Sequence, residues 1–422
     1  MTKIKSVFAR EILDSRGNPT IETAVYYEDG YANASVPSGA STGKYEAVEL
    51  RDNDPQRFNG LGVKKAVGFV NDILGPALVD MDVSDQFNID KKLIELDGTP
   101  NKSKYGANSI LSLSQAVAKA ASFVQKIQPY IWFNKLFEQL GFKTDINIPT
   151  PICNVINGGK HGTGNLDFQE FHIMPASSKQ FPEGLRICCE VYHKIKEVLK
   201  YRNAIHAIGD EGGFTPNLYT NLDALEIIVE AIKQAGFSLQ QDVFLGLDIA
   251  PAYFYKNGSY QIKDFQEKLN TDKYIEYLQQ LHKNYHLLCL EDPLDEDSWA
   301  DWVKLTELLG HEVHIIGDDL LVTNPERLKK AIDLKAANSI LVKPNQIGTV
   351  TETLNVIKMA KENKFKVVVS HRSGETCDFL IADLAVGIAA DFVKFGAPAR
   401  GERTVKYNRL LTIAYETQGL LL

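Results

Sequence analysis

The stretch Leu287-Leu-Cys-Leu-Glu-Asp-Pro293 joins a short apolar run to two carboxylates and a proline. Such a run, bounded by turn residues, is typical of a buried strand. The chain contains six runs of this kind with helical patterns between them: Val243–Leu247, Leu287–Leu290, His314–Ile316, Ser339–Val342, Val367–Val369 and Asp391–Val393. The polar residues that follow the runs recur every 23 to 43 residues. Because a strand–loop–helix–loop unit takes about 30 residues or more, this pattern predicts a parallel β/α barrel.

The residues at the ends of these runs are polar or charged. They are Asp248, Glu291, Asp318, Lys343, Ser370 with His371, and Lys394. In a β/α barrel the C-terminal ends of the strands face one common site, so we expect these side chains to converge in one pocket. The alternative is that loops are polar wherever they follow strands, which accounts less well for six such residues in succession.

Three of these residues are carboxylates, which offer only oxygen ligands. Hard divalent cations such as Mg²⁺ prefer such ligands, and without a cation the three charges would repel one another. Asp248, Glu291 and Asp318 therefore predict a metal site. Lys343 would lie beside it, where nearby cations favour the neutral amine and hence a general base. The alternative for Lys343 is an ion pair with a structural carboxylate.

Two other segments carry carboxylates suited to proton transfer. Glu211 lies in Gly209-Asp-Glu-Gly-Gly213, and Glu170 lies in Asp167-Phe-Gln-Glu-Phe171. Two neighbouring carboxylates can raise the pKa of one of them, which yields a neutral acid. Solvated loop carboxylates are the alternative. Asn157-Gly-Gly-Lys-His161 and Ser370-His-Arg-Ser373 supply hydrogen-bond donors for an anionic ligand.

Composition and charge exclude several classes of protein. Hydrophobic residues make up 44% and charged residues 24% of the 422 residues, which is typical of a globular protein. The net charge of −8 argues against a general nucleic-acid or anionic-membrane binder. We find neither a signal peptide nor an apolar run long enough to insert into a membrane. Five cysteines without a CxxC motif predict reduced thiols in the cytoplasm.

The first 140 residues differ in pattern from the rest. Apolar alternation at 4–8, 20–27 and 31–36 predicts a strand followed by a hairpin, and four helical patterns follow, at Val63–Leu74, Gln86–Leu96, Ala107–Gln125 and Ile131–Leu140. We therefore expect a smaller N-terminal α+β capping domain over residues 1–140 and a catalytic barrel over 141–422. The glycine- and hydroxyl-rich segment Ser38–Gly43 is either a lid over the barrel mouth or an ordinary connection.

Several longer motifs resemble the enolase family over nearly the whole chain, from about residue 4 to residue 412. The motifs are Ala9-Arg-Glu-Ile-Leu-Asp-Ser-Arg-Gly-Asn-Pro-Thr20, Val36-Pro-Ser-Gly-Ala-Ser-Thr-Gly43, Leu96-Asp-Gly-Thr-Pro-Asn-Lys-Ser-Lys104, Gly209-Asp-Glu-Gly-Gly-Phe214, Leu290-Glu-Asp-Pro293, Gly317-Asp-Asp-Leu320, Lys343-Pro-Asn-Gln-Ile-Gly348 and Ser370-His-Arg-Ser-Gly-Glu-Thr376. The resemblance implies the reversible dehydration of 2-phosphoglycerate to phosphoenolpyruvate with two Mg²⁺ ions, which stabilise the ene-diolate.

The resemblance also implies a role for each matching residue. Lys343 would be the base that removes the C2 proton, and Glu211 would be the acid that helps the C3 hydroxide leave, with Glu170 as its partner. Asp248, Glu291 and Asp318 would hold the first metal, and Ser41 would help hold the second, which arrives with the substrate. The remaining site residues would contact substrate, with the phosphate on Arg372 and Ser373: His161, Gln169, His371, Arg372, Ser373 and Lys394. The family further implies a cytoplasmic homo-oligomer, a dimer or alternatively an octamer, with a secondary presence at the cell surface or outside the cell.

The chain departs from the usual family pattern beside several of these residues. The departures are at Gly162, Pro251, Cys377, Phe395 and Gly401. They leave open an enolase-like paralogue that acts on a related phosphorylated or phosphonylated acid, and a binding protein built on the same scaffold. A glycolytic enolase is favoured because the base, the acid and the metal carboxylates are all present.

Overall fold

A computed structural model describes residues 2–39, 43–162, 164 and 166–420. The N-terminal part begins with an antiparallel sheet of β1 (Ser6–Leu13), β2 (Pro19–Tyr27) and β3 (Gly30–Ser35). Its helices are α1 (Lys64–Phe69), α2 (Gly75–Leu78), α3 (Gln86–Asp97), α4 (Ala107–Val124) and α5 (Pro129–Gln139). Residues Val70–Leu74 continue the helix between α1 and α2. The predicted strands and all four predicted helical regions are present.

The helix α4 is the centre of this part of the chain. Its residues from Ala107 to Ser122 are all buried, which suits a sequence rich in alanine and serine that packs on every side. One side of α4 covers β2 and β3, and other contacts reach α3 and α5. The helix therefore packs between the small sheet and the helices α3 and α5, which contact the C-terminal part of the chain.

The C-terminal part is an eight-stranded closed barrel. The barrel strands are β4 (Thr150–Asn157), β5 (Glu170–Pro175), β6 (Val243–Asp248), β10 (Leu287–Glu291), β11 (His314–Gly317), β12 (Ser339–Val342), β13 (Lys366–Ser370) and β14 (Phe392–Lys394). A small separate sheet holds β7 (Tyr255–Lys256), β8 (Ser259–Tyr260) and β9 (Leu269–Asn270). The helices are α6 (Phe181–Tyr201), α7 (Asn221–Gln234), α8 (Thr271–Tyr285), α9 (Trp299–Leu309), α10 (Pro325–Leu334), α11 (Val350–Glu362), α12 (Leu380–Gly387) and α13 (Gly401–Thr417).

All six predicted apolar runs are barrel strands, but the prediction of a wholly parallel barrel is wrong for β5. This strand runs antiparallel to both of its neighbours, β4 and β6. In the described residues of the connection from β4 to β5 (158–162, 164 and 166–169), the only helical segment is a short turn at Gly159–His161. A parallel crossover usually carries an α-helix across the face of the sheet, and a connection with a single helical turn suits a return in the opposite direction.

The barrel interior is closed by apolar side chains rather than open as a channel. The buried residues of this inner layer are Ile152, Met174, Cys289, Ile316, Leu341 and Val368. Gly246 leaves the space that Cys289 occupies, because a Cβ at position 246 would lie 2.3 Å from the Cys289 Sγ atom. This apolar layer closes the barrel below its mouth.

The N-terminal part contacts the barrel through paired backbone and buried polar groups. The amides of Ser38 and Gly374 donate to each other's carbonyls, at 2.8 and 2.9 Å. The buried Asp90 accepts hydrogen bonds from the amide and the hydroxyl of Thr351, at the start of α11. These contacts hold the β3 end of the small sheet at the barrel mouth, as expected of a capping domain.

Within the described ranges, no helix is both long and apolar enough to cross a membrane.

Candidate active site

A pocket at the barrel mouth brings together most of the predicted site residues. Those that line it are His161, Gln169, Glu170, Glu211, Asp248, Asp318, Lys343, His371, Arg372, Ser373 and Lys394. Glu291 lies just beneath the lining and is 1% exposed. Ser41 falls outside the described residues.

Strand register explains why four polar residues lie side by side at this mouth. Glu170 opens β5 and pairs with Asn157 at the end of β4 and with Asp248 at the end of β6. Glu291 at the end of β10 pairs in turn with Asp248. Because β5 is reversed, its first residue reaches the same rim as the last residues of its neighbours.

The Lys394 ammonium lies among three of these carboxylates. Its Nζ atom is 2.9 Å from Asp248 Oδ2, 2.8 Å from Glu291 Oε1 and 3.1 Å from Glu170 Oε2. Burial by itself would lower the pKa of Lys394, but the carboxylates around it raise that pKa well above its ordinary value. Lys394 is therefore a fixed positive charge in the floor of the pocket.

Negative charge still exceeds positive charge at this point of the pocket. Burial, then the charges of Asp248 and Asp318, raises the pKa of Glu291 well above its ordinary value, despite the nearby Lys394. Burial and the charges of Asp319 and Asp318 do the same to the pKa of Asp292. A site with this excess of buried carboxylate oxygens suits a hard divalent cation.

Two sets of side chains converge closely enough to hold a metal ion. In the described part of the chain, ligand atoms within 4.8 Å of one another come from Asp292, Asp318 and Asp319, and from His161, Glu170 and Glu211. The predicted set shares only Asp318 with the first of these. Its other two members, Asp248 and Glu291, are bridged by the Lys394 ammonium.

Lys343 forms an ion pair with Asp318 and is 14% exposed at its side chain. Burial would lower the pKa of Lys343, but the Asp318 charge outweighs it and leaves the pKa above its ordinary value. Nearby cations were expected to lower the pKa of Lys343. The nearest charge is instead the Asp318 carboxylate, which raises that pKa. The neutral amine, which is the form that can accept a proton, is favoured only where the Asp318 charge is compensated.

Glu170 is held by donors on both of its oxygens. His161 Nδ1 lies 2.8 Å from Oε1, and His172 Nε2 lies 2.9 Å from Oε2. Burial by itself would raise the pKa of Glu170. The Lys394 charge and the hydrogen bonds from these two imidazoles outweigh burial, so the pKa lies well below the ordinary value. Glu170 is therefore a carboxylate anion.

Glu211 lies next to Glu170 and is held from another side. Its Oε2 atom accepts from Asn154 Nδ2 at 3.3 Å and lies 3.5 Å from His371 Nε2. Burial and the Glu170 charge raise the pKa of Glu211, but His161 and His371 outweigh them and leave it below the ordinary value. The two carboxylates are neighbours as predicted, while the surrounding histidines favour the charged form of each.

The predicted anion-binding residues line another wall of the pocket. Arg372 Nη1 lies 2.9 Å from Glu46 Oε2 and 3.0 Å from Asn345 Oδ1, which fixes its guanidinium in place. Ser373 follows it, and Arg16 Nη1 lies 3.5 Å from the Ser373 hydroxyl. The guanidinium and the hydroxyl together suit a phosphate group.

Several site residues were not predicted from the sequence. His172 is two residues from Glu170 on the same strand, so strand periodicity would have placed both side chains on one face. Asp292 follows Glu291 directly and accepts from the amides of Asp318 and Asp319. Glu46 and Arg403 come from distant parts of the chain, and no local pattern marks them.

The departures from the family pattern have definite positions. A Cβ at Gly162 would lie 2.7 Å from the Asn157 carbonyl oxygen, so this path of the loop requires glycine. Pro251 starts a short turn whose neighbours Ala250 and Ala252 line the pocket. Phe395 is fully buried, Cys377 is exposed, and a side chain at Gly401 would meet no atom within 4 Å. The changes nearest the chemistry are thus Gly162 and the segment around Pro251.

Comparison with known families covers both parts of the chain. The family model described as "Enolase, N-terminal domain" matches residues 4–133. The model described as "Enolase, C-terminal TIM barrel domain" matches residues 145–419.

Proposed function

The chain belongs to the enolase family, and from this premise we propose how its pocket carries out the family's reaction. The enzyme is a lyase, a phosphopyruvate hydratase, that dehydrates 2-phosphoglycerate to phosphoenolpyruvate in glycolysis. The observation that carries the proposal is that a half-buried lysine, Lys343, and a buried carboxyl group, Glu211, line one pocket from different loops.

Lys343 is proposed as the base. Its Nζ atom takes the proton from C2 of the substrate, and the C–H electron pair moves toward the carboxylate. The ion pair with Asp318 orients the amine but also keeps it protonated. The base form therefore requires that the Asp318 charge be compensated by another cation.

Glu211 is proposed as the acid. As the electron pair returns to form the C2=C3 bond, the C3–O bond breaks and the leaving hydroxide takes the Glu211 proton to become water. Burial and the charge of the Glu170 carboxylate raise the pKa of Glu211, although His161 and His371 leave it below its ordinary value. Because Lys394 and two histidines hold Glu170 anionic, Glu211 is the one of the pair proposed to carry the proton. An acid and a base on separate loops suit the separate steps of the reaction.

A divalent cation is implied by the family, and the donor set fits it. We propose that Asp248, Glu291 and Asp318 hold one Mg²⁺ ion, and that a second arrives with the substrate near Ser41. When bound, these ions supply positive charge that stabilises the second negative charge formed on the substrate carboxylate. The raised pKa of Glu291 supports the proposal, since it marks buried negative charge that the chain's own cations leave uncompensated.

Substrate binding is proposed to use the remaining pocket residues. Arg372 and Ser373 would bind the phosphate, and Lys394 would face the substrate carboxylate. His161, Gln169 and His371 would contact the polar groups between these ends. Gln169 Nε2 already donates to Asp248 Oδ2 at 3.2 Å, which ties its amide to the proposed metal ligands.

We also propose a homodimer, with an octamer as the alternative. The outer face of the small sheet exposes Phe8 and Tyr31 by more than half of their surface, and Tyr26 stacks on Tyr31 there. Exposed aromatic side chains beside polar groups are common at protein interfaces, which supports the proposal. Sedimentation of the purified protein would measure the oligomeric state.

We propose a cytoplasmic location, which the free cysteines support. We also propose the domain division at 140/141, which the end of α5 at Gln139 supports.

The test is formation of phosphoenolpyruvate from 2-phosphoglycerate, with Mg²⁺ and with a chelator. We expect activity with Mg²⁺ and none without it. Lys343→Ala should abolish exchange of the C2 proton with solvent, whereas Glu211→Gln should retain exchange and lose dehydration. Undiminished exchange in Lys343→Ala would refute the base. A folded protein that is inactive with metal would refute the substrate and favour a related phosphorylated acid.

A further inference from the structure

We propose that Arg403 is a positioning residue that determines which nitrogen of His371 carries the proton and, through it, which oxygen of Glu211 delivers the acid proton. The inference rests on the proposed role of Glu211 as the acid. Arg403 lies on α13 and reaches the site from behind the pocket wall.

Arg403 is fully buried, and its hydrogen bonds within the described residues go to groups at the site, while its Nε atom lies 3.5 Å from Glu402 Oε1. Its Nη1 atom lies 2.7 Å from His371 Nδ1 and 2.6 Å from the Arg372 carbonyl oxygen. Its Nη2 atom donates to the Ser373 carbonyl at 2.6 Å and to the Asp210 carbonyl at 3.1 Å. One guanidinium thus joins the His371 segment to the loop that carries Glu211.

The chemistry of the guanidinium decides the tautomer of His371. An arginine side chain has donors and no acceptor, so the nitrogen that faces it must be the unprotonated one. His371 Nδ1 is therefore the acceptor, and Nε2 carries the hydrogen. Burial and the Arg403 charge also lower the pKa of His371, which keeps the ring neutral with a single N–H.

That single N–H points toward the proposed acid. His371 Nε2 lies 3.5 Å from Glu211 Oε2, and Asn154 Nδ2 donates to the same oxygen from 3.3 Å. Oε2 thus faces two N–H groups, one hydrogen-bonded and one at 3.5 Å, and an oxygen in that position is the unprotonated one. In the neutral acid the proton is consequently held on Oε1.

The position of the ring is fixed sterically as well. Gly396 has a φ of +85°, and a Cβ there would lie 2.9 Å from His371 Cε1 and 2.7 Å from the Glu211 carbonyl oxygen. Glycine leaves just enough room for the imidazole between Arg403 and the Glu211 loop. The Cε1 edge of the ring therefore lies against this backbone.

Without Arg403 the ring would be free to hold its proton on Nδ1. Nε2 would then be an acceptor facing Glu211 and would draw the acid proton onto Oε2. Protonation of the leaving hydroxide would suffer, while proton removal from C2 by Lys343 would not. The proposal therefore separates the two halves of the reaction.

The experiment compares Arg403→Met and Arg403→Lys with wild type. ¹⁵N NMR of the His371 ring, in protein without substrate, reports the tautomer independently of activity. We expect the Nε2–H form in wild type and in Arg403→Lys, and a mixture in Arg403→Met. With 2-phosphoglycerate and Mg²⁺, Arg403→Met should lose dehydration by on the order of 10–100-fold, as is usual for groups that orient site residues, with little change in KM or in C2 exchange.

Lys406→Met is the matched control, because Lys406 is an equally buried cation one turn along α13 that bonds to Glu375 and not to His371. It should leave the tautomer and the ratio of exchange to dehydration unchanged. An Nδ1–H ring in wild type would overturn the proposal even if Arg403→Met fails to fold. Equal loss of exchange and dehydration in Arg403→Met would also overturn it. A wild-type Nε2–H ring with no dehydration activity would refute the proposed function instead.

Discussion

The His161 imidazole is expected to titrate far above the ordinary range in the metal-free protein. Burial by itself would lower the pKa of His161, but the charges of Glu211 and Glu170 raise it to about 9. The hydrogen bond of 2.8 Å from Nδ1 to Glu170 Oε1 is part of this effect. His161 is therefore a cation at neutral pH, wedged between the two carboxylates of the proton-transfer pair.

This shift has a consequence for stability with a definite sign. The ordinary pKa of 6.5 describes the unfolded chain, so the folded protein binds the proton more tightly by about 2.5 units, or about 3 kcal/mol. Because the folded pKa is raised, the contribution is complete below pH 6.5 and is lost as the pH rises through about 9. Alkaline pH should weaken the fold at this point.

The assay is chemical unfolding at a series of pH values between 6 and 10, with a chelator present. We compare wild type with His161→Gln, because the difference between the two curves isolates this group from other titrations. The free energy of unfolding of wild type should fall by about 3 kcal/mol more than that of the variant. His206→Gln, at an exposed site, controls for loss of a histidine. Parallel curves, or an NMR titration of His161 centred at or below 6.5, would refute the reasoning.

Three other perturbations have expected outcomes. Removing divalent cations should abolish activity, and adding Mg²⁺ at 100 times its Kd should raise the free energy of unfolding by about 2.7 kcal/mol, measured by thermal denaturation; no shift would contradict the metal site. Asp90→Ala should cost about 1–3 kcal/mol in urea unfolding, since it strands the amide of Thr351 in the interface between cap and barrel, and KM should not change. Gly162→Ala should lower stability by about 1–3 kcal/mol and reduce kcat/KM by displacing His161, and unchanged kinetics would show that the loop accommodates the methyl group.

The strand ends were predictable because periodicity and spacing are local properties of the chain. Asp248, Glu291, Asp318, Lys343 and Lys394 follow apolar runs, and barrel geometry alone brings such positions to one mouth. Their mutual arrangement was not predictable in the same way. That Lys394 lies among carboxylates depends on side-chain directions and on the register between strands.

The direction of β5 was missed for a different reason. Its apolar run resembles those of the other strands, and the sequence does not state which way a strand runs. The preceding connection marks the reversal because its described residues hold a single helical turn and no crossover helix, and this signal is decisive only once β4 is recognised as a neighbour. Glu46 contacts Arg372 across more than three hundred residues of chain, and Arg403 contacts His371 across about thirty. These two residues could therefore be found only from the contacts in the structure.

The reversed strand gives one loop a special mechanical status. Most loops at the mouth of a β/α barrel connect a strand to an outer helix. A change in the length of such a loop can therefore shift the helix that follows it. The connection 158–169 leaves the mouth from β4 and returns to it at β5, so both of its anchors are on the same rim. This connection therefore starts and ends at the rim of the barrel, with His161 near its start and Gln169 at its end. Insertions or deletions within it would reshape the entrance for substrate while leaving the helical shell in register, which makes it the natural place to alter substrate choice.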